Sequence, residues 1–267
     1  MRYSTESVEQ TLDGESVHRE WKQLYRGSAG LRLDRILRRR ALRCMKLPSR
    51  ARILDAGCGP ELRHSIPLAA RGFRVDAIDV AEPVIESARR CAQMQAQGLQ
   101  LTVQRDSLLE LSAASETYDL VICAHVLMHV PEIQKACMEL FRVVKPGGWL
   151  FVVENNADSL QEIVRNRFGV QFDDPMYELE GLVYAGKTAA GETYIARQLD
   201  VQWFCEFCRK QGVTLHRRWA REFTELYTVI DNPFAAGLVH RLNRTLFRLP
   251  GGAALALQNA LLLRKTG

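Results

Sequence analysis

A chain of 267 residues is long enough for one large domain with a sizeable core. Its 47% hydrophobic and 25% charged residues exclude a disordered or low-complexity polypeptide, and no apolar run reaches the roughly 18 residues of a membrane-crossing helix. The net charge of +5 is local: twelve Lys or Arg residues stand against two acids, Glu20 and Asp34, between Arg19 and Arg52. The polar start, MRYSTESVEQTLDGES, lacks the apolar segment of a secretory leader. The seven cysteines are scattered and odd in number, so reduced thiols in a cytoplasm, with no membrane partner, are expected.

Residues 1 to about 16 form a lead-in. His18 to Met45 is predicted helical, with a break near Gly27 to Gly30, and Leu33, Ile36, Leu37 and Leu42 make its apolar stripe. The arginines between them suit either a surface for nucleic acid or a solvated helix face. The lack of aromatics from Leu31 to Arg52 favours the second. Arg52 to Asp79 is the most informative stretch. Ile53 and Leu54 end a short apolar strand, and Asp55-Ala56-Gly57-Cys58-Gly59 is a small-residue turn. Ser65 is the expected N-cap of a helix with Pro67 in its first turn. Phe73 to Ile78 then alternates as a second strand ending on Asp79.

Glycines at 57 and 59 let a ligand approach the backbone. Asp79, at the end of the second strand, is placed to accept hydrogen bonds from both hydroxyls of an adenosine ribose. A dinucleotide fingerprint needs a third glycine where Leu62 stands. Asp55, two residues before the first glycine, suits a ligand with an amino group and a sulfonium. At these residues the chain resembles the class I S-adenosylmethionine-dependent methyltransferases, whose first motif is acid-x-Gly-x-Gly. The resemblance covers residues 50 to 155 well and the remainder in outline. It implies an α/β, doubly wound, seven-stranded, mostly parallel sheet with helices on both faces, of Rossmann-like type, plus a lid insertion.

The resemblance also implies cofactor contacts at Asp55, Ala56, Gly57, Cys58 and Gly59, at Asp79 and Val80, and at Cys123 and Ala124. Asp106 would accept from the adenine amino group, with the backbone of Ser107 beside it, and Tyr25 would cover the methionine end. Tyr25 and Trp21 also suit plain packing against the sheet. One departure stands out: Glu61 and Leu62 occupy the place where the family usually has one glycine.

Further along, Glu82 to Gly98 is predicted helical, Leu101 to Arg105 a strand, Tyr118 to Cys123 a strand, and Glu132 to Val144 a helix with its apolar face at i, i+3, i+4 spacing. Lys145-Pro146-Gly147-Gly148 stops that helix before a strand at Trp149 to Val153. The stretch from Asn155 to about Asp200 breaks the alternation and suits a substrate lid or a surface excursion. Val201 to Gly212 is expected helical with Cys205 and Cys208 on one packed face, and Val213 to Trp219 a strand. Glu222 to Phe247 is expected helical, and Ala254 to Leu263 a last buried strand antiparallel to its predecessor. The divisions are therefore a helical cap (1–48), a cofactor-binding core (49–154), a lid (155–200) and the rest of the sheet (201–267).

The segment AHVLMHVP after the fourth predicted strand lacks the Asn-Pro-Pro-Tyr type of sequence of base-amine methylation and matches the small-molecule branch. Oxygen acceptors need a proton removed, and His125 and His129 are the candidate bases, their i, i+4 spacing suiting one helical turn. No third ligand accompanies them, so no metal is expected. The expected function is methyl transfer from S-adenosylmethionine to a small-molecule acceptor at oxygen. Two alternatives stay open: an RNA or protein methyltransferase using residues 19–52, and a non-catalytic cofactor-binding module whose loop Glu61 spoils.

Overall fold

The strands carry apolar side chains on both faces, as a sheet covered by helices on both sides requires. The computed structural model describes residues 28–168, 174–178, 181–187, 193–223, 232–246 and 252–267. Seven strands form the main sheet: β1 (Arg52–Ala56), β2 (Arg74–Asp79), β3 (Leu101–Arg105), β4 (Tyr118–Ala124), β5 (Val144–Asn155), β9 (Val213–Glu222) and β10 (Gln258–Lys265). Their order is β3-β2-β1-β4-β5-β10-β9. The first five pair in parallel, and β10 runs antiparallel to both β5 and β9. The strand order reverses between β1 and β4, which opens a crevice beyond their carboxyl ends.

The helices are α1 (Ser28–Cys44), α2 (Ser65–Ala69), α3 (Glu82–Gln95), α4 (Ile133–Val143), α5 (Leu160–Phe168), α6 (Val201–Lys210) and α7 (Pro233–Leu246). Successive residues of β5 serve opposite layers. Trp149, Phe151 and Val153 pack with Leu33, Leu37, Ala41 and Met45 of α1. Leu150 and Val152 pack with Leu140 of α4 and Phe204 and Cys208 of α6. In α1 the buried face is matched by an exposed row, Arg35, Arg39 and Arg43. Ile36 and Leu42, assigned to the stripe from sequence, are half-buried at its edges.

Several boundaries differ from the sequence reading for identifiable reasons. Ser65 is the first residue of α2, not its cap, because its hydroxyl donates to Asp55 instead. The strand expected at Trp149 extends back to Val144, and a register shift between Tyr118 and Leu120 absorbs the Pro-Gly-Gly turn. A short 3-10 turn at Gly252–Leu255 takes up the start of the predicted last strand. Within 155–200, β6 (Asp174–Glu178), β7 (Gly181–Lys187) and β8 (Thr193–Gln198) make a separate antiparallel sheet in the order β6-β7-β8. Buried Arg197 of β8 donates from Nη2 to the Pro131 carbonyl at 3.1 Å, which ties this sheet to the segment after β4. None of the seven cysteines is in a disulfide. Among the described residues no helix is long and apolar enough to cross a membrane.

Candidate active site

The turn after β1 is held open by two left-handed glycines. Gly57 has φ +79° and Gly59 has φ +63°. The Gly57 and Cys58 N–H groups both donate to the Ile78 carbonyl, at 2.9 and 2.8 Å, fixing the turn over the end of β2. A Cβ on Gly57 would lie 2.2 Å from Val126 Cγ2, whereas one on Gly59 would meet nothing within 4 Å. The first glycine is therefore demanded by packing against the segment after β4. The second leaves its backbone approachable.

Asp79 closes the same turn from the end of β2. Its Oδ2 accepts from the Gly59 N–H and its Oδ1 from the Ala81 N–H, both at 3.2 Å. The carboxylate is half-buried. Asp55 lies buried beneath, bonded to Ser65 Oγ. The residues after Gly59 resolve the family departure: Leu62 is fully buried with Ile85, Ala88 and Cys91, in a left-handed conformation of φ +50°. The extra residue is absorbed by sinking Leu62 into the α3 face. The Glu61 carbonyl meanwhile accepts from Cys91 Sγ at 3.7 Å.

On the far side of the crevice, β4 ends at Ala124 and His125 takes a left-handed φ of +59°. Its N–H donates to the Val153 carbonyl at 2.7 Å. Leu127–His129 is a 3-10 turn, and the sequence reading missed what shapes it. Glu154, fully buried at the end of β5, accepts from the N–H groups of Val126, Leu127 and Met128 at 2.9, 2.8 and 3.3 Å. Burial pushes its pKa up to about 8 against the pull of those three donors. The one local signal is an acid closing an apolar run, Phe151-Val152-Val153-Glu154.

A second buried polar group was also missed. Arg221 of β9 donates from Nε to Asp34 of α1 at 2.8 Å, and from Nη1 to Glu222 at 3.2 Å and to Gln258. All four residues are buried. Burial alone would raise the Asp34 pKa, but the Arg221 guanidinium beside it wins and holds the carboxyl below the usual range. His64 and His125 face this group. Burial, with Arg221 as the next cause, holds the His125 pKa well below the ordinary imidazole value. Burial likewise lowers that of His64. Both imidazoles are neutral at pH 7, and both His125 ring nitrogens are shielded from solvent.

The methyltransferase-domain family matches residues 54–152, which run from β1 to β5. The chain is 36% identical over 189 residues to a ubiquinone biosynthesis O-methyltransferase from Rickettsia felis, an alignment that takes in 61% of this chain and 75% of that protein. The chain belongs to the class I S-adenosylmethionine-dependent methyltransferases. A protein of the same name from Methylocella silvestris is 40% identical over 105 residues, but there the chain spans 40% of its length. For that of Rickettsia conorii it spans 35%. The fold is shared with a magnesium protoporphyrin IX methyltransferase from Synechocystis solved with S-adenosylhomocysteine (TM-score 0.65, 16% identity, 98% of this chain and 100% of that one). It is also shared with a methyltransferase from Methanosarcina mazei (TM-score 0.61, 21% identity, 82% and 94%).

S-adenosylmethionine is the cofactor of this family, and the crevice residues fit it: a left-handed Gly59 whose backbone is open to close approach and a half-buried carboxylate, Asp79, at the end of β2. The sequence-derived residues divide into three sets. Ala56, Gly57, Cys58, Gly59, Asp79 and Val80 gather at the turn beside the ends of β1 and β2. The thiol of Cys58, buried and near Asp79 and Asp55, is pushed to a high pKa and stays protonated. Cys123 and Ala124 lie across from them at the end of β4, with the Cys123 side chain buried in the core behind the sheet.

Asp106 follows β3, its N–H donating to the Asp79 carbonyl at 3.1 Å. Its carboxylate already accepts from the Ser107 N–H at 2.9 Å and from the Ser112 N–H and hydroxyl at 3.1 and 2.8 Å. It holds its own loop with most of its acceptor capacity. His125 and His129 do not share a helical turn: the left-handed residue and the 3-10 geometry separate them, and His129 is half-exposed. Tyr25 and Trp21 lie outside the described residues. Among the described residues no group of His, Cys, Asp or Glu is arranged to hold a metal ion.

Proposed function

We propose that this methyltransferase acts on a hydroxyl of a small organic acceptor. The observation that carries the reading is His125, a neutral imidazole at the carboxyl end of β4, next in the chain to Val126, whose side chain packs on Gly57. The names of the curated relatives, all O-methyltransferases among those described above, support oxygen as the methylated atom. S-adenosylmethionine, when bound, supplies an electrophilic methyl on a sulfonium sulfur. The residues expected to hold it are Asp79, through both carboxylate oxygens, Gly57 to Gly59, through their backbone, and the Val80, Asp106 and Ser107 edge.

The protein's own contribution is then proximity and proton removal. Glu154 fixes the Val126–Met128 backbone that follows His125, and so fixes the end of β4 from which the ring projects. A ring nitrogen of His125 takes the acceptor's hydroxyl proton as the oxygen is methylated. Burial, helped by Arg221, keeps that imidazole neutral and therefore able to accept. The β6–β8 sheet, tied to Pro131 through Arg197, is the lid that excludes water in this reading. Seven cysteines with none in a disulfide suit a reducing compartment.

The test combines calorimetry and turnover. Micromolar or tighter binding of S-adenosylhomocysteine is expected, and methyl transfer to a panel of phenols and catechols should fall by about 10²–10⁴-fold in His125→Ala with cofactor affinity kept. Undiminished turnover in that variant refutes the base. Transfer to amines and not to hydroxyls refutes the acceptor class, and a salt-sensitive shift of tRNA by the Arg35, Arg39 and Arg43 row would replace it with an RNA acceptor.

A further inference from the structure

Helix α7 lies between β9 and β10 and presents an apolar row to solvent. Phe234 is 85% exposed, Leu238 62% and Leu242 50%, four residues apart along one face. The other face holds the helix in place: buried Asn243 accepts from the Phe223 N–H at 3.0 Å. Helix α5 repeats the arrangement, with exposed Ile163 and Phe168 outside and buried Glu162 inside. Both helices are anchored at the Gly252–Leu255 turn. Asn156, just before α5, donates to the Ala254 and Ala256 carbonyls at 2.9 Å each, and Leu246 of α7 packs with Ala253 around the Phe223 cluster. Leu255, on that turn, is itself exposed.

The charge on these helices has one sign. The α7 sequence contains no acid, the only acid of α5 is buried, and the described charged side chains they expose, Arg167 and Arg241, are cationic. Large apolar side chains flanked by arginine, on helices lying at the surface, match the interfacial side of an anionic bilayer. A second copy of the chain fits poorly, since a two-fold interface would bring together two faces whose described exposed charges are all cationic. We propose that the α7 face, together with α5 and Leu255, docks the protein reversibly on an anionic lipid surface. This goes beyond the sequence reading, which expected no membrane partner, because the apolar row is visible only once the buried side of each helix is known. The proposal stands apart from the acceptor reading, since it concerns a surface and not the crevice.

The full-length protein is mixed with vesicles of equal parts phosphatidylcholine and phosphatidylglycerol, and with vesicles of phosphatidylcholine alone, and sedimented. Partitioning to the anionic vesicles should be at least about tenfold the higher and should weaken with salt. The double variant L238E/L242E should fall to the level seen with neutral vesicles, and R241E should lose several-fold, both with unchanged S-adenosylhomocysteine affinity and unchanged urea midpoint. No binding to anionic vesicles overturns the proposal. So does binding that L238E/L242E leaves intact, which would assign it to the α1 arginine row. A wild-type dimer in sedimentation velocity that L238E/L242E dissociates also overturns it, with a second copy as the occupant.

Discussion

Replacing Gly57 with Ala tests whether the cofactor turn is set by the segment after β4 as well as by its own backbone. An L residue at φ +79° pays about 1–2 kcal/mol for the left-handed conformation. The added Cβ also falls 2.2 Å from Val126 Cγ2 and 3.0 Å from Cγ1. Val126 has little freedom to turn aside, because its β-branched side chain is stiff and its N–H is held by Glu154 at 2.9 Å. Overpacking of this kind costs about 1–3 kcal/mol, so the combined loss is expected at about 2–5 kcal/mol. Shortening Val126 should return only the second part: in a double-mutant cycle, G57A and V126A should couple favourably by about 1–3 kcal/mol. Gly59→Ala is the control. With φ +63° and open space around its Cβ, it should lose about 1–2 kcal/mol and show no coupling to Val126. Urea unfolding at constant m gives each value, and calorimetry with S-adenosylhomocysteine follows affinity, expected to drop in G57A and recover in part in the double variant. A G57A loss below about 0.5 kcal/mol, or strict additivity with V126A, refutes the packing account.

Three further outcomes follow from the same geometry. Asp79→Ala should weaken S-adenosylhomocysteine binding by about 10²–10⁴-fold, from two charge-assisted hydrogen bonds of about 1.5–3 kcal/mol each, and unchanged calorimetric affinity would remove Asp79 from the ribose. Glu154 carries a raised folded pKa of about 8 against an ordinary 4.5, so the folded state binds more protons than the unfolded one and stability should fall as pH rises through that window. The depressed pKa values of His64 and His125 act in the opposite direction, but only as pH falls through 6.5, where the unfolded chain takes up protons. Above about pH 7.5 the unfolded imidazoles are nearly all neutral, so urea unfolding from about pH 7.5 to 8.5 should show a downward slope in the wild type that Glu154→Gln makes shallower, the buried thiols keeping the remainder, and an equal slope in both would assign it elsewhere. Asp34→Asn should destabilise by about 1–3 kcal/mol because it removes one of the two carboxylates, Asp34 and Glu222, that flank the buried Arg221 guanidinium; a double-mutant cycle with R221M in thermal melts should show coupling between the two, and strict additivity would contradict the pair.

What the sequence made legible was local. Gly57, Gly59 and Asp79 stand in one strand-turn-helix-strand unit, and their spacing follows from the backbone path of that unit alone. The apolar runs of β1, β4 and β5 were legible for the same reason: strands covered on both faces need nearly every position apolar. Leu62 shows the limit of reading a motif by position. Counting residues marked an insertion and left open a loop that Glu61 spoils. The answer lay in a cavity on the α3 face, formed by Ile85, Ala88 and Cys91, which a leucine fills at the expense of a left-handed backbone. Ser65 failed for a related reason. It has the right type for a cap, but a buried Asp55 ten residues earlier had the stronger claim on its hydroxyl.

The catalytic side was less legible because its shape is imposed from elsewhere. The spacing of His125 and His129 suggests one helical turn only if the segment is an α-helix, and nothing in its own sequence prevents that. Glu154 does, by drawing three successive N–H groups toward one carboxylate on the neighbouring strand. Asp34 and Arg221 are 187 residues apart, a separation at which periodicity carries no information. Yet that pair bears on the charge state of His125: burial is the main reason its pKa is low, and the Arg221 guanidinium adds to it while Asp34 opposes. A histidine's position can thus be read from its neighbours in the chain, whereas its competence as a base depends on β5, β9 and α1 together. Substitutions at Glu154 or Arg221, neither of which faces the glycine turn, should on this account change turnover through His125, Glu154 by moving the ring and Arg221 by raising its pKa so that the acid limb of the pH–rate profile shifts upward.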